Sequence, residues 1–157
     1  MTAPKYQEFG PDKIPAVDVA GGVKVKVIAG RVADVTGPIA QPATDPTYLD
    51  VELPPGASLS QPLSSGHVAF LYVYEGAVRV GSGQSAATVG THELAVLTDG
   101  DSVQLEGREP PRDGTSNRVI LVAGRPLREP VAKHGPFVMN TREELIQAFT
   151  DYQSGRF

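Results

Sequence analysis

A chain of 157 residues, 40% apolar and 20% charged, has room for one domain with a packed core. It contains no cysteine, which excludes disulfide frameworks and thiolate chemistry, and no apolar run close to the roughly 20 residues of a membrane-spanning helix. Fourteen basic against 18 acidic residues give a net charge of -4 without a basic cluster, which argues against direct binding to nucleic acid or to an anionic membrane.

The first residues do not form a signal peptide, so a cytoplasmic location is expected, or a nuclear one in a eukaryotic cell. With 17 glycines and 14 prolines the natural expectation is many short strands joined by turns. Residues 1–13 are polar and contain proline, and read as an extended arm. Ala16-Val17-Asp18-Val19 and Val23-Lys24-Val25-Lys26-Val27-Ile28 flank Gly21-Gly22, the signature of a hairpin with Val23, Val25 and Val27 inward and Lys24 and Lys26 in water. Residues 34–47 lack periodicity and read as a loop. A strand over 48–53 follows, with Leu49, Val51 and Leu53 on one face.

Pro55-Gly56 then opens a turn, a loop crosses to Gly66, and seven apolar or aromatic residues run unbroken from Val68 to Tyr74. Their β-branched and aromatic character predicts a strand buried on both faces. Further short strands are expected over 78–80, 87–89, 94–97, 102–105 and 118–123, with turns at Gly81-Ser82-Gly83 and Thr98-Asp99-Gly100-Asp101. The longest polar loop, 107–117, holds Pro110-Pro111 and Asp113-Gly114. Strands at this spacing indicate an antiparallel sandwich or barrel.

One helix is predicted over 142–154. Thr141 and Glu144 make a capping box, Leu145, Phe149 and Tyr152 form a stripe widened by Ile146 and Ala148, and Gly155 closes it. Such a helix packs on the outside of the barrel, on a second domain or on a second subunit.

The segment from Pro55 to Gly76 resembles the first cupin motif, Pro-Gly, five residues, His-x-His, four residues, Glu, six residues, Gly. Pro55-Gly56 and Gly76 fall in register, and the three ligand slots fall on Pro62, Ser64 and Ala69. Aligning the second motif on Thr98-Asp99-Gly100 puts its histidine slot on Val103. None of these four side chains replaces an imidazole or a carboxylate as a metal ligand.

Ala123-Gly124-Arg125-Pro126-Leu127-Arg128-Glu129-Pro130-Val131, Gly135-Pro136-Phe137-Val138-Met139-Asn140-Thr141 and the terminal Asp151-Tyr152-Gln153-Ser154-Gly155-Arg156-Phe157 are similar, in order and spacing, to the carboxyl-terminal domain of the pirin family. Pro4-Lys5-Tyr6-Gln7 continues the match and resembles the family's interdomain linker. The resemblance implies an all-β protein with a cupin-type antiparallel jelly-roll barrel and one carboxyl-terminal helix. Residues 1–13 would be a linker-like arm, 14–140 a metal-free cupin barrel, and 141–157 the helix and tail.

Pirins are bicupins whose metal lies in the amino-terminal barrel. The resemblance therefore implies a fragment or separately expressed half that carries no cofactor, with iron or another divalent metal only in the missing half. It also implies quercetinase-type dioxygenase activity in the full-length protein and a supporting or regulatory role for this half. Its expected partner is the amino-terminal cupin domain, a second copy of itself or another protein. A small-molecule-binding barrel lined near Ser64, Ala69 and Val103 is the alternative.

No catalytic residue is assigned. His67, His92 and Glu93 lack ligand spacing, and with His134 they read as loop or strand-end residues. Glu75, Asp99 and Asp101 read as turn residues, and Ser58, Ser60, Ser64 and Ser65 have no nucleophile-elbow context. With the Ala69 slot inside the barrel, alternation puts Ala69, Leu71 and Val73 inward and Phe70, Tyr72 and Tyr74 outward. Phe70, Tyr72, Tyr74, Phe137, Met139 and Phe149 are thus the candidate contacts with a second domain, packing within this chain being the other reading.

Overall fold

The structure, a computed structural model, describes residues 6–109 and 116–156. Pro110-Pro111 and Asp113-Gly114 of the long loop, and Pro4-Lys5 of the arm, lie outside the described residues. The chain divides into two compact units, Met1–Pro126 and Leu127–Phe157.

In the first unit, β1 (Ala16–Val19) and β2 (Val23–Ala29) form the expected hairpin, with Gly21 and Gly22 at φ 78° and 77°. The small hairpin β3 (Arg31–Val32) and β4 (Val35–Thr36) follows. Part of the stretch expected to be a loop is therefore paired, and Ile39 adds a bridge to Ala29. Next come β5 (Thr47–Leu53), β6 (Ser58–Pro62), β7 (Val68–Glu75) and β8 (Ala77–Val80). The remaining strands are β9 (Ala87–Gly90), β10 (Leu94–Val96), β11 (Ser102–Gly107) and β12 (Asn117–Gly124).

Two antiparallel sheets result, ordered β1-β2-β5-β12-β7-β10 and β6-β11-β8-β9. Their inward residues share one core: Val25, Val51, Leu71, Val73, Val119 and Leu121 from the larger sheet meet Leu59, Val78 and Leu105 from the smaller. Alternation along each strand places these side chains inside, and burial of that apolar surface holds the two layers together.

Two expectations about the central stretch need correction. Ser58–Pro62 is a strand paired with β11, not a loop, because Leu59 and Gln61 alternate inward between exposed serines. Only one face of β7 is fully buried, that of Ala69, Leu71 and Val73, while Phe70, Tyr72 and Tyr74 are half-buried on the other. Gly76, at φ 75°, then carries the chain from one sheet into the other.

In the second unit β13 (Ala132–His134) and β14 (Phe137–Met139) form a hairpin around Gly135-Pro136 that sequence periodicity did not reveal. The helix α1 (Arg142–Gln153) starts in the predicted capping box: the Thr141 hydroxyl accepts the Glu144 N–H at 3.2 Å, and Glu144 accepts the Thr141 N–H at 3.0 Å. Within this unit α1 packs on the hairpin through rings. Phe149 meets Phe137 and His134 edge-on, with centroids 4.8 and 5.2 Å apart, and Tyr152 meets Phe137 at 5.8 Å. Ile146 is exposed, so the stripe is narrower than predicted. Gly155 closes the helix at φ 69°. No helix among the described residues is long and apolar enough to cross a membrane.

Two polar groups fasten the larger sheet. Asn117, fully buried, donates from Nδ2 to the carbonyls of Leu53 at 3.0 Å and Arg108 at 2.8 Å, and accepts the Ala77 N–H at 2.9 Å. A Cβ on Gly76 would strike the Asn117 Oδ1, so the glycine is needed for space as well as for its φ. On the outward face, Tyr74 donates to Asp50 at 2.7 Å, and Arg118 lies 3.4 Å from both Glu52 and Glu75. Burial, followed by the hydrogen bond and charge of Asp50, pushes the Tyr74 phenol up to about 12, against a smaller pull from Arg118. Arg118 is itself pushed above its ordinary value, chiefly by its hydrogen bond with Tyr74.

Asn117→Ala leaves the buried Leu53 carbonyl unpaired, at about 1 to 3 kcal/mol, and loses the part-buried bonds to Ala77 and Arg108, at about 1 kcal/mol each. A loss of about 3 kcal/mol or more is expected, read as a lower urea midpoint at unchanged slope. The folded state holds the Tyr74 proton more tightly than the unfolded chain does. Its contribution to stability is therefore complete below about pH 10 and is lost as pH rises toward 12. In a spectrophotometric titration one of the five tyrosines should ionise near 12, and Tyr74→Phe should abolish that step.

Candidate functional site

The alternation of β6 and β7 decides where the four cupin-slot positions lie. Leu59 and Gln61 point inward, so Pro62 is exposed at the end of its strand, as is Ser64 on the loop that follows. Ala69 on β7 and Val103 on β11 are buried. Ala69 and Val103 line one cavity of about 520 Å³, together with Leu63, Val80, Val89 and Leu97. Pro62 and Ser64 line a neighbouring cavity of about 650 Å³. The slots are thus brought together two by two, and His67 borders both cavities.

The smaller cavity marks an end of the barrel that its side chains do not fill. Ala69, Val80, Val89 and Val103 keep 4 to 8% exposure, whereas Leu71, Val73 and Val78 are at 0%. Its mouth is tied by short hydrogen bonds: Asp99 accepts the Gly66 N–H at 2.9 Å, and the Leu63 N–H reaches the Asp101 carbonyl at 2.8 Å. Both aspartates therefore build the turn, in line with their expected role.

A metal does not fit these positions. A proline ring, a hydroxyl and two aliphatic side chains offer no imidazole or carboxylate, and among the described residues no group of three or more His, Cys, Asp or Glu side chains is placed to hold an ion. The other candidates stay apart. His92 occupies a turn at φ 66° and its N–H donates to the Val73 carbonyl at 2.7 Å, while Glu93 accepts the Gly90 N–H at 2.7 Å. His134 belongs to the ring cluster of the second unit. Glu75 faces Arg118, and Ser60 accepts from Gln104 at 2.7 Å.

Sequence reasoning missed two groups at the larger cavity. Gln61 is buried and donates from Nε2 to the carbonyls of Arg31 at 3.1 Å and Pro62 at 3.0 Å. Asp45 brings Oδ2 to 3.7 Å from His67 Nε2. A Leu-Ser-Gln alternation ahead of Pro62 was the available signal for the first. The Asp45–His67 approach, by contrast, depends on a loop path that no local pattern encodes.

On the outward face of the larger sheet, Phe70 and Tyr72 are flanked in register by Val122 and Ile120 of β12 and by Val96 and Leu94 of β10. Leu94 and Val96 are exposed. Tyr74 is committed to Asp50, and Phe137 and Phe149 are committed to each other, while Met139 is half-buried on β14.

The family model described as the pirin C-terminal cupin domain matches residues 48–157. A pirin-like protein of Caulobacter vibrioides is 48% identical over 100% of this chain and 54% of its own length, and human pirin is 41% identical over 99% and 52%. Among solved structures, a quercetin 2,3-dioxygenase from Acinetobacter baumannii superposes with a TM-score of 0.81 at 30% identity, covering 98% of this chain and 50% of that one. The chain spans about half the length of these relatives. With the cupin slots, the two facing sheets and the terminal helix in place, the chain belongs to the pirin family, as its carboxyl-terminal cupin domain.

Proposed function

We propose that this chain is the metal-free cupin half of a pirin-type protein, and that it packs against and supports an amino-terminal half holding iron or another divalent metal. What carries the proposal is the content of four positions: Pro62, Ser64, Ala69 and Val103 stand where a cupin needs ligands. The half-length match to pirins and to a quercetin 2,3-dioxygenase supports it. Quercetin 2,3-dioxygenase activity then belongs to the full-length protein, and this chain contributes rigidity and a surface.

The surface is the outward face of the larger sheet, where Phe70, Tyr72, Leu94 and Val96 form an apolar strip beside the Tyr74–Asp50–Arg118 network. An apolar strip next to charged groups fits a partner domain with a matching apolar face. A regulatory protein partner, or a second copy of this chain, would use the same face.

Elemental analysis of the purified chain after dialysis against iron, copper, nickel and zinc should find no stoichiometric metal, and added quercetin should not turn over. One tightly bound equivalent, or turnover, overturns the proposal. Leu94→Asp with Val96→Asp alters two exposed side chains and their cross-strand pairs with Tyr72 and Phe70, and should cost about 1 to 2 kcal/mol of stability. The same pair should abolish association with the amino-terminal half of the Caulobacter relative supplied in trans. Equal association of the wild-type and doubly substituted chains would place the contact elsewhere.

A further inference from the structure

The larger cavity, about 650 Å³ between the β3–β4 hairpin, the loop into β5 and the end of β6, brings Arg31, Asp45, Gln61 and His67 together among aliphatic walls. Two of the four non-glycine residues with left-handed backbone among the described residues, Ala33 at φ 48° and Asp45 at φ 45°, line it. Such backbone is unfavourable for side chains other than glycine and persists where its surroundings impose it. At Asp45 the N–H is fixed on the Gln41 carbonyl at 2.8 Å, and the carboxylate is aimed at an imidazole.

That imidazole is His67, whose side chain is only 7% exposed and whose Nε2 stands 3.7 Å from the Asp45 carboxylate. The separation is beyond a direct hydrogen bond and leaves both groups able to serve a third one. Gln61, 4% exposed, uses its amide nitrogen on the Arg31 and Pro62 carbonyls, so what it can offer a guest is its carbonyl oxygen, an acceptor. Arg31, at the rim, is held by the Ala33 carbonyl at 2.8 Å and by Asp34 at 3.2 Å.

The cavity thus brings together a donor, Arg31, two acceptors, Asp45 and the Gln61 carbonyl oxygen, and the imidazole of His67. The Arg31 guanidinium is paired with Asp34 at 3.2 Å, so it is not left over to select a small anion. Between the polar groups the walls are aliphatic, from Ile39 and Pro46.

We propose that this cavity binds a small neutral ring bearing vicinal hydroxyls, of the size of a monosaccharide or an inositol. A hydroxyl both donates and accepts, which suits a mixed set of partners, and the carbon–hydrogen face of such a ring suits the aliphatic walls. The site needs neither a metal nor a second half, so it stands or falls separately from the function proposed above.

The test is titration of the full chain with myo-inositol to about 100 mM, beyond the millimolar range expected of so small a ligand, followed by proton–nitrogen correlation spectra. Saturable shifts confined to residues 31–47 and 61–67 are expected, with cyclohexanol, which has one hydroxyl, at least about tenfold weaker. Asp45→Asn keeps the size and tolerates left-handed backbone, and should weaken myo-inositol about tenfold; His67→Gln should do the same. The proposal is overturned by the absence of saturable shifts, by equal binding of cyclohexanol, by tighter binding of benzoate, or by unchanged affinity in folded Asp45→Asn protein.

Discussion

One buried amide ties together the end of the barrel where the two sheets join. Asn117 holds the last carbonyl of β5, the first N–H of β8 and the chain leaving β11. Its position also dictates its neighbours. A Cβ on Gly107 would strike the Pro54 carbonyl and lie 2.9 Å from the Asn117 amide nitrogen, so that position is closed to larger residues just as Gly76 is. Ala69 and Val103 stand near the starts of their strands and Glu75 and Gly107 at the ends, about 20 Å away along β7 and about 13 Å along β11 at the usual rise of a strand. The barrel is therefore knotted shut at one end and hollow at the other, and both cavities open at the hollow end.

This division bears on how a cupin frame holds together without the ligand side chains of the motif. The mouth is spanned by backbone and aspartate hydrogen bonds, Asp99 to Gly66, Asp101 to Leu63 and Leu97 to Ala69. These cross-links need no ion, and they leave Ala69 and Val103 free to be small and apolar. The turn glycines of the motif serve the geometry of the chain, whereas its histidine slots serve chemistry alone, so the former can be kept while the latter are filled by other residues.

Much of this architecture could be read from the residues. Val23, Val25 and Val27 alternate with lysines and point inward, Leu49, Val51 and Leu53 do the same, and the Thr141–Glu144 box starts the helix. What escaped is physically consistent. β6 is rich in serine and ends in proline, so its composition is that of a loop even though Leu59 and Gln61 keep the strand period. Asn117 borders a polar loop, and only pairing with residues 64 positions earlier reveals that it is buried. The approach of Asp45 to His67 likewise joins two loops, each unremarkable by itself.

The order of strands in the larger sheet also governs how the molecule is made. β12, near the end of the first unit, lies in the middle of that sheet, between β5 and β7. As the polypeptide leaves the ribosome, β1-β2-β5 and β7-β10 emerge as two partial sheets, each with an open edge where β12 belongs. Neither gap closes until residue 124 is out, and a late insertion of long sequence separation is slow. During that interval the exposed edges are the places where a nascent chain would pair with another copy or call on a chaperone.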